Sequence, residues 1–134
     1  MDPSSVRIMV ADDDRMIRRI VVMKLSGLGY SLQEAEDGQE AFEQLENDEV
    51  PDLLITDQLM PRLNGIPLVR KIRASDNKVM AMLPVIMLTS KSQEQDVIEG
   101  LGVGMDDYVS KPFSPDVLAA RVKSVLWRAS HARD

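Results

Sequence analysis

The sequence predicts an α/β fold, in which a parallel sheet is covered by helices on both faces. Five short apolar segments, each too short for a helix, alternate with segments of helical spacing along the 134 residues. The connections between them are short, which is typical of strand–helix–strand units with right-handed crossovers. The chain contains no internal repeat, and its length suits one domain with its own core.

The strands are predicted from apolar and β-branched runs that are bounded by turn residues. They cover residues 6–11, 30–36, 51–57, 84–89 and 107–110. The second strand is the most polar, which predicts an edge position in the sheet. The fourth is almost entirely apolar, which predicts a central position.

The helices are predicted from helical spacing together with their start and stop signals. They cover residues 14–26, 37–45, 66–74 and 92–100, and a last helix begins at residue 115. The predicted N-caps are Asp14, Asp37 with Glu40, Ser92 with Gln95, and Ser114.

The last helix carries an apolar stripe that is predicted to belong to the core. Its members are Leu118, Val122, Val125, Leu126 and Ala129. Trp127 falls outside this stripe, so we expect it to be at least partly exposed, either lying on its own helix or contacting a partner. Residues 128–134 are predicted to be a polar C-terminal tail or a truncated linker.

The composition excludes several kinds of site. A net charge of −6 and a pI of about 4.8 argue against nucleic-acid binding by a basic surface of this domain. With no cysteine and a single histidine, His131, the chain offers no disulfide, thiolate site or multi-histidine metal site. No apolar run approaches the roughly 18 residues that span a membrane, and the first residues do not resemble a signal peptide. We therefore expect a cytoplasmic protein that does not bind membranes.

Four of the predicted strands end in polar side chains, and the carboxyl ends of parallel strands meet at one edge of a sheet. These side chains are Asp12, Asp13 and Asp14, then Asp57, then Thr89 and Ser90, and finally Lys111. Crowded carboxylates need a cation, and oxygen donors without histidine or cysteine suit Mg²⁺, with Mn²⁺ as the alternative. A hydroxyl and an ammonium group are donors that attract a phosphoryl group.

The same residues match a known family. The matching pieces are Asp12 with Asp13, Asp57 followed by Met60, Pro61 and Gly65, then Thr89, and the segment 108–113. Over roughly residues 6–127 the chain resembles the receiver (phosphoacceptor) domain of two-component response regulators, and residues 1–127 are predicted to form this domain. The resemblance implies a chemotaxis-regulator-like, flavodoxin-like doubly wound domain with five parallel strands in the order 2-1-3-4-5, flanked by five helices.

The resemblance also implies roles for the acidic residues. Asp57 is the expected phosphoacceptor, a carboxylate nucleophile that receives a phosphoryl group from the phosphohistidine of a sensor histidine kinase or a histidine phosphotransfer protein. Asp13, Asp57 and the main-chain carbonyl of Leu59 are expected to bind Mg²⁺ directly, and Asp12 is expected to hold it through water. Asp14 is interpreted as a helix cap rather than a ligand.

Three further residues are expected to act around the phosphoryl group. Lys111 is expected to pair first with Asp57 and then with the phosphoryl oxygens, and its bond to Pro112 resembles the cis peptide of the family. Thr89 is expected to donate a hydrogen bond to the phosphoryl group, and Tyr108 is expected to turn inward when Thr89 moves. A plain strand aromatic is the competing interpretation of Tyr108.

Two positions that tune water access in the family carry unusual residues here. The side chain of Leu59 cannot orient a water molecule, and Lys91 offers no acceptor for one. We therefore predict slow self-dephosphorylation. The chain is predicted to be a switch and not a turnover enzyme.

The expected output surface consists of the fourth predicted helix, the fifth strand and the last helix. Its interface candidates are Asp106, Asp107, Arg121, Trp127 and Arg128. The charged members resemble those of regulators that form homodimers by salt bridges on phosphorylation and then present a DNA-binding domain. A solvated charged face is the competing interpretation.

Three other functions remain open at this point. A phosphatase with an aspartate nucleophile would need a second Asp at the position of Leu59. A flavin carrier would need a hydroxyl- and Gly-rich phosphate loop where residues 12–14 stand. A metal-independent pseudo-receiver, acting as a protein-binding module, is disfavoured because the acidic set is complete.

Overall fold

The computed structural model describes residues 2–90 and 94–132. Its strands are β1 (Arg7–Ala11), β2 (Ser31–Ala35), β3 (Leu53–Asp57), β4 (Val85–Ser90) and β5 (Asp107–Lys111). Its α-helices are α1 (Arg15–Gly27), α2 (Gly38–Asn47), α3 (Gly65–Arg73), α4 (Lys78–Ala81), α5 (Glu94–Val103) and α6 (Pro115–Ala132). A 3₁₀ turn over Pro3–Ser5 precedes β1.

The strands form one parallel sheet in the order β2-β1-β3-β4-β5, as predicted. The polar strand β2 is an edge strand whose side chains are mostly half-buried or exposed. The strands β3 and β4 are central and almost entirely buried. The doubly wound α/β fold is therefore confirmed.

The sheet separates two apolar cores because successive side chains of a strand point to opposite faces. In β1, Met9 and Ala11 join the core that lies under α2, α3 and the short helix α4. Ile8 and Val10 join the opposite core, which is closed by α1 and α6. Four of the five residues in the predicted stripe of the last helix, Leu118, Val122, Val125 and Leu126, lie in this second core, whereas Ala129 is half-buried and lies outside it.

Several predicted helix starts are confirmed by their caps. The Asp14 carboxylate accepts the N–H groups of Met16 and Ile17, and the Asp37 carboxylate accepts the N–H of Glu40. These contacts satisfy main-chain donors that the first turn of a helix leaves unpaired. The predicted cap Ser92 lies outside the described residues, as does Lys91.

The structure adds two helical features that the sequence pattern did not predict. The four-residue helix α4 makes six helices in the described residues instead of the five predicted, and it is capped by Asn77, whose side chain accepts two N–H groups. Helix α6 continues through Ala132, so the first part of the predicted tail is helical. Trp127 is 60% exposed, as predicted, and its ring stacks on His131 one turn later at 3.8 Å. None of the helices in the described residues is long and apolar enough to cross a membrane.

Candidate functional site

The polar strand ends predicted from the sequence lie at one edge of the sheet. Asp57 is the last residue of β3, and Asp12 directly follows the neighbouring strand β1. Thr89 and Lys111 lie at the ends of β4 and β5 on the other side. Because the paired strands run parallel, these side chains leave the sheet at the same edge, with Thr89 one residue and Lys111 two residues beyond the level of Asp57.

Three carboxylates form a cluster at this edge. One carboxylate oxygen from each of Asp12, Asp13 and Asp57 lies within 4.8 Å of the others. Asp12 is fully buried, Asp57 is 9% exposed and Asp13 is exposed. The cluster is therefore enclosed by protein below and open to solvent on the side of Asp13.

The ammonium group of Lys111 joins two of these carboxylates. Its Nζ lies 3.1 Å from Asp12 Oδ2 and 3.1 Å from Asp57 Oδ2. Burial lowers the pKa of Lys111, but the negative charges of Asp12 and Asp57 outweigh that effect and hold its pKa above the ordinary value. Lys111 is thus firmly protonated and gives one positive charge to three carboxylates.

The buried carboxyl group of Asp12 has an unfavourable environment for its charge. Burial raises the pKa of Asp12, and the charge of Asp57 adds to this effect. The hydrogen bond from the Asp14 N–H (2.9 Å) and the pairing with Lys111 lower the pKa but do not cancel the rise. Further positive charge at this cluster would relieve that cost.

The donor set fits Mg²⁺. This hard cation takes oxygen ligands, typically one or two protein carboxylates, and keeps several waters. The cluster offers only carboxylate oxygens, carries less positive than negative charge and has an open side for water. The residue whose main-chain carbonyl was predicted to complete the site, Leu59, lies at the rim with 56% of its surface exposed.

The loop between β3 and α3 is tied closely to Asp57. The Gln58 N–H donates to Asp57 Oδ1 at 2.8 Å. The carbonyl and side-chain oxygens of Gln58 accept the N–H groups of Gly65 (2.8 Å) and Ile66 (2.7 Å). A Cβ atom at Gly65 would lie 2.5 Å from the Asp57 carbonyl oxygen, so only glycine permits this approach.

The other expected switch residues lie beside the site. Thr89 is 2% exposed, whereas Tyr108 is 38% exposed. Tyr108 lines a surface cavity of about 400 Å³ together with Arg121. The peptide bond between Lys111 and Pro112 is cis, as the resemblance implied. The inward turn of Tyr108 stays a prediction.

Two residues near the site were missed by the sequence analysis. Arg18 is only 7% exposed, and its Nη1 donates to the main-chain carbonyl of Asp12 at 2.6 Å. It shares the buried face of α1 with Val21 and Leu25, so a charge at an apolar-face position was the available signal. Gln58 is 6% exposed, and its role as a loop anchor leaves no signal in the sequence pattern.

The charged interface candidates make pairs within this chain. Asp107 Oδ2 lies 3.4 Å from Arg121 and 3.8 Å from Arg128. Asp106 instead lies 3.3 Å from Arg73 and accepts a main-chain N–H at the start of β4 at 2.7 Å. Both arginines are about half exposed, so these pairs are accessible to a second molecule, but the dimer interface stays a prediction.

This sheet order, with three carboxylates and a lysine at its carboxyl edge, defines a receiver-type α/β domain rather than a flavin carrier, because an acidic turn follows β1. The family described as "Response regulator receiver domain" matches residues 8–123. The chain belongs to this family, the receiver domains of two-component response regulators.

Curated relatives and solved structures agree with this assignment. The chain is 42% identical over 121 residues to the phosphate regulon transcriptional regulatory protein PhoB of Pseudomonas aeruginosa, covering 90% of this chain and 52% of that protein. It is 40% identical over 124 residues to the response regulator MprA of Mycobacterium tuberculosis, covering 92% of this chain and 52% of that protein. The chain thus spans about half the length of these relatives.

Among solved structures, the receiver domain of the Francisella response regulator 1452 matches with a TM-score of 0.81 and 36% identity, covering 92% of this chain and 98% of that one. The chemotaxis response regulator CheY4 of Vibrio cholerae matches with a TM-score of 0.82 and 29% identity, covering 90% of this chain and 98% of that one.

Proposed function

We propose that this domain is a phosphorylation-activated switch that accepts a phosphoryl group on Asp57 with the help of Mg²⁺. The observation that carries the proposal is the lysine-bridged cluster: Lys111 contacts Asp12 and Asp57, while Asp13 lies close enough to share a cation with both. The partner that supplies the phosphoryl group is a sensor histidine kinase or a histidine phosphotransfer protein.

Asp57 has the environment of a nucleophile held in a defined orientation. Its Oδ1 accepts the Gln58 N–H, and its Oδ2 pairs with Lys111. In the transfer, a carboxylate oxygen of Asp57 forms a bond to phosphorus while the bond between phosphorus and the donor's imidazole nitrogen breaks. The imidazole keeps the electron pair of that bond and takes up a proton.

The remaining residues position the groups that react. Asp13, Asp57 and the Leu59 carbonyl would hold Mg²⁺ directly and Asp12 would hold it through water, and the bound ion would supply positive charge to the phosphoryl oxygens. Lys111 is placed to follow the charge from the Asp57 carboxylate to the incoming phosphoryl group, because its Nζ already lies 3.1 Å from Asp57 Oδ2.

An apolar groove beside the site is suited to the phosphoryl donor. It has a volume of about 450 Å³ and is lined by Ile17, Ile20, Lys111, Pro112, Phe113 and Pro115. The exposed side chain of Met16 extends the same apolar surface along α1. A donor protein that presents its phosphohistidine on an amphipathic helix would bury this surface while the imidazole approaches Asp57.

The switch follows from the charge that phosphorylation adds. Hydrogen bonds to charged groups contribute about 1.5–3 kcal/mol each. A complete shift of a two-state conformational equilibrium from 1:99 to 99:1 needs a difference of about 5.5 kcal/mol in interaction free energy between the two states. Two such contacts, from Thr89 and Lys111, sum to about 3–6 kcal/mol, but Lys111 already pairs with Asp57 before phosphorylation. The net gain is therefore smaller, so the contacts bias the conformational equilibrium without saturating it, and a partner completes the shift.

The output surface in this proposal consists of α5, β5 and α6, and it controls a partner or an output domain. A homodimer formed on phosphorylation would exchange the pairs that Asp107 now makes with Arg121 and Arg128 for pairs between two molecules. Arg121→Glu should then abolish the phosphorylation-dependent dimer in sedimentation velocity. Unchanged sedimentation of the phosphorylated variant would show that these charges are only a solvated face.

The deciding experiment measures the intact mass of the protein after incubation with Mg²⁺ and acetyl phosphate. We expect the wild type to gain one phosphoryl group and Asp57→Asn to gain none. Omission of Mg²⁺ should also prevent the gain. If the wild type gains no mass, the proposal is wrong, and the domain signals as a metal-independent pseudo-receiver that binds a protein partner.

A further inference from the structure

Helix α1 places a charged side chain where an apolar one is expected. Arg18 lies on the buried face of the helix together with Val21 and Leu25, and it is 7% exposed. Charged side chains are rarely buried to this extent unless they are paired. Its position therefore requires compensating contacts.

The guanidinium group of Arg18 spans from the acidic site to the edge strand. Its Nη1 donates to the main-chain carbonyl oxygen of Asp12 at 2.6 Å. Its Nε donates to Glu34 Oε1 at 3.2 Å, and Nη2 lies 3.9 Å from Glu36 Oε1. Glu34 lies in β2 and Glu36 directly follows it, so Arg18 ties the turn after β1 to the neighbouring strand.

The contact with Arg18 completes the set of hydrogen bonds that hold Asp12 in place. The Asp12 N–H donates to the Ala35 carbonyl at 3.2 Å, and its two carboxylate oxygens accept the Asp14 N–H at 2.9 Å and the Lys111 ammonium at 3.1 Å. The carbonyl of Asp12, held by Arg18, is the remaining polar group of that residue. The turn that carries the neighbouring carboxylate Asp13 begins at this carbonyl.

We propose that Arg18 is a positioning residue of the acidic site, whose contacts with the Asp12 carbonyl and with Glu34 hold the turn between β1 and α1 in the conformation that binds the divalent cation. The inference rests on the proposed function, because cation binding is what this turn serves there. Arg18 itself contacts neither the phosphoacceptor nor the open side of the cluster.

The planar geometry of the guanidinium group matters for this role. It presents several donors in fixed directions, so one side chain can hold a carbonyl on one side and a carboxylate on the other. An ammonium group is a compact point charge on a flexible stem, and it holds such a pair poorly. Arg18→Lys therefore keeps the positive charge but should no longer hold the Asp12 carbonyl and the Glu34 carboxylate at the same time.

The test measures the affinity for Mn²⁺ alone by electron paramagnetic resonance, in wild type, Arg18→Met, Arg18→Lys and the control Arg19→Met. Arg19 is the adjacent exposed arginine of the same helix. Groups that orient metal ligands from outside typically change metal affinity by about 10- to 100-fold when they are replaced. We expect a weakening of this order in Arg18→Met, a smaller weakening in Arg18→Lys, and wild-type affinity in Arg19→Met.

A second readout separates positioning from stability. Phosphorylation by acetyl phosphate, followed by intact mass, should need more Mg²⁺ for half-saturation in Arg18→Met but should reach the wild-type rate at high Mg²⁺, because Asp57 and Lys111 are intact. Arg18→Met that is folded by circular dichroism and shows wild-type Mn²⁺ affinity and Mg²⁺ dependence would overturn the inference. If Arg18→Met does not fold, wild-type Mn²⁺ affinity in Arg18→Lys overturns it.

The wild type distinguishes this inference from the function on which it rests. A wild type that neither binds Mn²⁺ nor takes up a phosphoryl group would refute the proposed function. A wild type that does both, beside an Arg18→Met protein that does both equally well, would refute only the role of Arg18.

Discussion

Lys111 Nζ lies 3.1 Å from Asp57 Oδ2, so the end of β5 is tied by charge to the end of β3 across the intervening strand β4. The same ammonium group lies 3.1 Å from Asp12. Lys111 and a divalent cation bound by these carboxylates would therefore compete for the same negative charge. Several expected outcomes follow from this competition and from the backbone that holds the site.

Replacement of Lys111 by Met should destabilise the metal-free domain and strengthen its binding of Mg²⁺. The variant leaves two neighbouring carboxylates without their cation, at a cost of roughly 2 kcal/mol in the free energy of unfolding. Mg²⁺ then no longer competes with an ammonium group, so its dissociation constant should fall. Urea unfolding in EDTA and calorimetric titration of Mg²⁺ measure the two effects. Lys123→Met, at an exposed lysine of α6, should change neither, and weaker Mg²⁺ binding by Lys111→Met would contradict the expectation.

The raised pKa of Asp12 predicts a pH dependence of stability in EDTA. An unfolded chain releases the Asp12 proton near the ordinary pKa of 3.8, whereas burial keeps the proton bound to higher pH in the folded state. Between these two pKa values the folded state holds more protons, so the free energy of unfolding contributed by this group falls as pH rises. At neutral pH, Asp12→Asn should therefore raise the melting temperature of the metal-free protein.

Asp13, the exposed carboxylate of the proposed metal site, provides the control for this prediction. Asp13→Asn should weaken Mg²⁺ binding without stabilising the metal-free protein, because Asp13 is exposed. Thermal melts in EDTA at pH 7 measure the difference between the two variants. A lower melting temperature for Asp12→Asn than for the wild type would show that its pairing with Lys111 outweighs the cost of burial.

The close approach at Gly65 predicts that Gly65→Ala is harmful. The added Cβ would lie 2.5 Å from the Asp57 carbonyl oxygen, so the loop or the strand end must shift. We expect a loss of about 1–3 kcal/mol in the free energy of unfolding, the usual range for overpacking, together with weaker Mg²⁺ binding. Gly102→Ala meets no atom within 4 Å in helix α5 and should instead stabilise the protein by about 0.5–1 kcal/mol. If urea unfolding shows that Gly65→Ala is as stable as Gly102→Ala, the steric explanation is wrong.

The backbone conformation of Arg62 predicts that Gly is more stabilising than Ala at this position, which is the reverse of their order within a helix. Its φ angle is 67°, in the left-handed region that costs residues with a Cβ roughly 1–2 kcal/mol. Arg62→Ala and Arg62→Gly both lose the 3.0 Å pair with Asp37, so their difference isolates the backbone. We expect the Gly variant to be more stable than the Ala variant by about 1 kcal/mol in urea unfolding. At Glu46, an exposed position of helix α2, the same comparison should favour Ala by about 1 kcal/mol.

The exposed side chain of Leu59 predicts a long-lived phosphorylated state. An aliphatic group at the rim cannot orient a water molecule toward the phosphoryl group, whereas an amide can. Leu59→Asn should therefore shorten the half-life of the phosphorylated protein severalfold. Leu28→Asn, at an exposed leucine that caps the far end of α1, should leave it unchanged. The measurement is the decay of the phosphorylated mass after removal of the donor, and a wild-type half-life of seconds would contradict the prediction.

The strands and the acidic edge were predictable because their signals are local. Apolar runs bounded by turn residues predicted all five strands, and Asp14 and Asp37 marked helix starts by their spacing from main-chain donors. Parallel strands then bring their ends together without further information. The order of the strands came from the family resemblance, since alternation of strands and helices is compatible with more than one order.

Features that depend on distant partners were not predictable in this way. Helix α4 is four residues long, too short for a periodic signal, and depends on its Asn77 cap and on burial of Met80. Asp106, an interface candidate from the sequence, pairs with Arg73, which lies 33 positions earlier in the chain. Whether such a charge faces solvent or a neighbour is decided by packing.

The α/β class, the set of residues at the acidic edge and the chemistry that those residue types allow could all be inferred from the sequence, because periodicity and strand ends are local properties of the chain. Three features are visible only in the folded protein: the bridge from Lys111 to Asp12 and Asp57, the close approach that requires glycine at position 65, and the hydrogen bond from the buried Arg18 to the Asp12 carbonyl. Those facts depend on distances of a few ångströms between segments far apart in sequence, and such distances are set when both cores pack around the sheet.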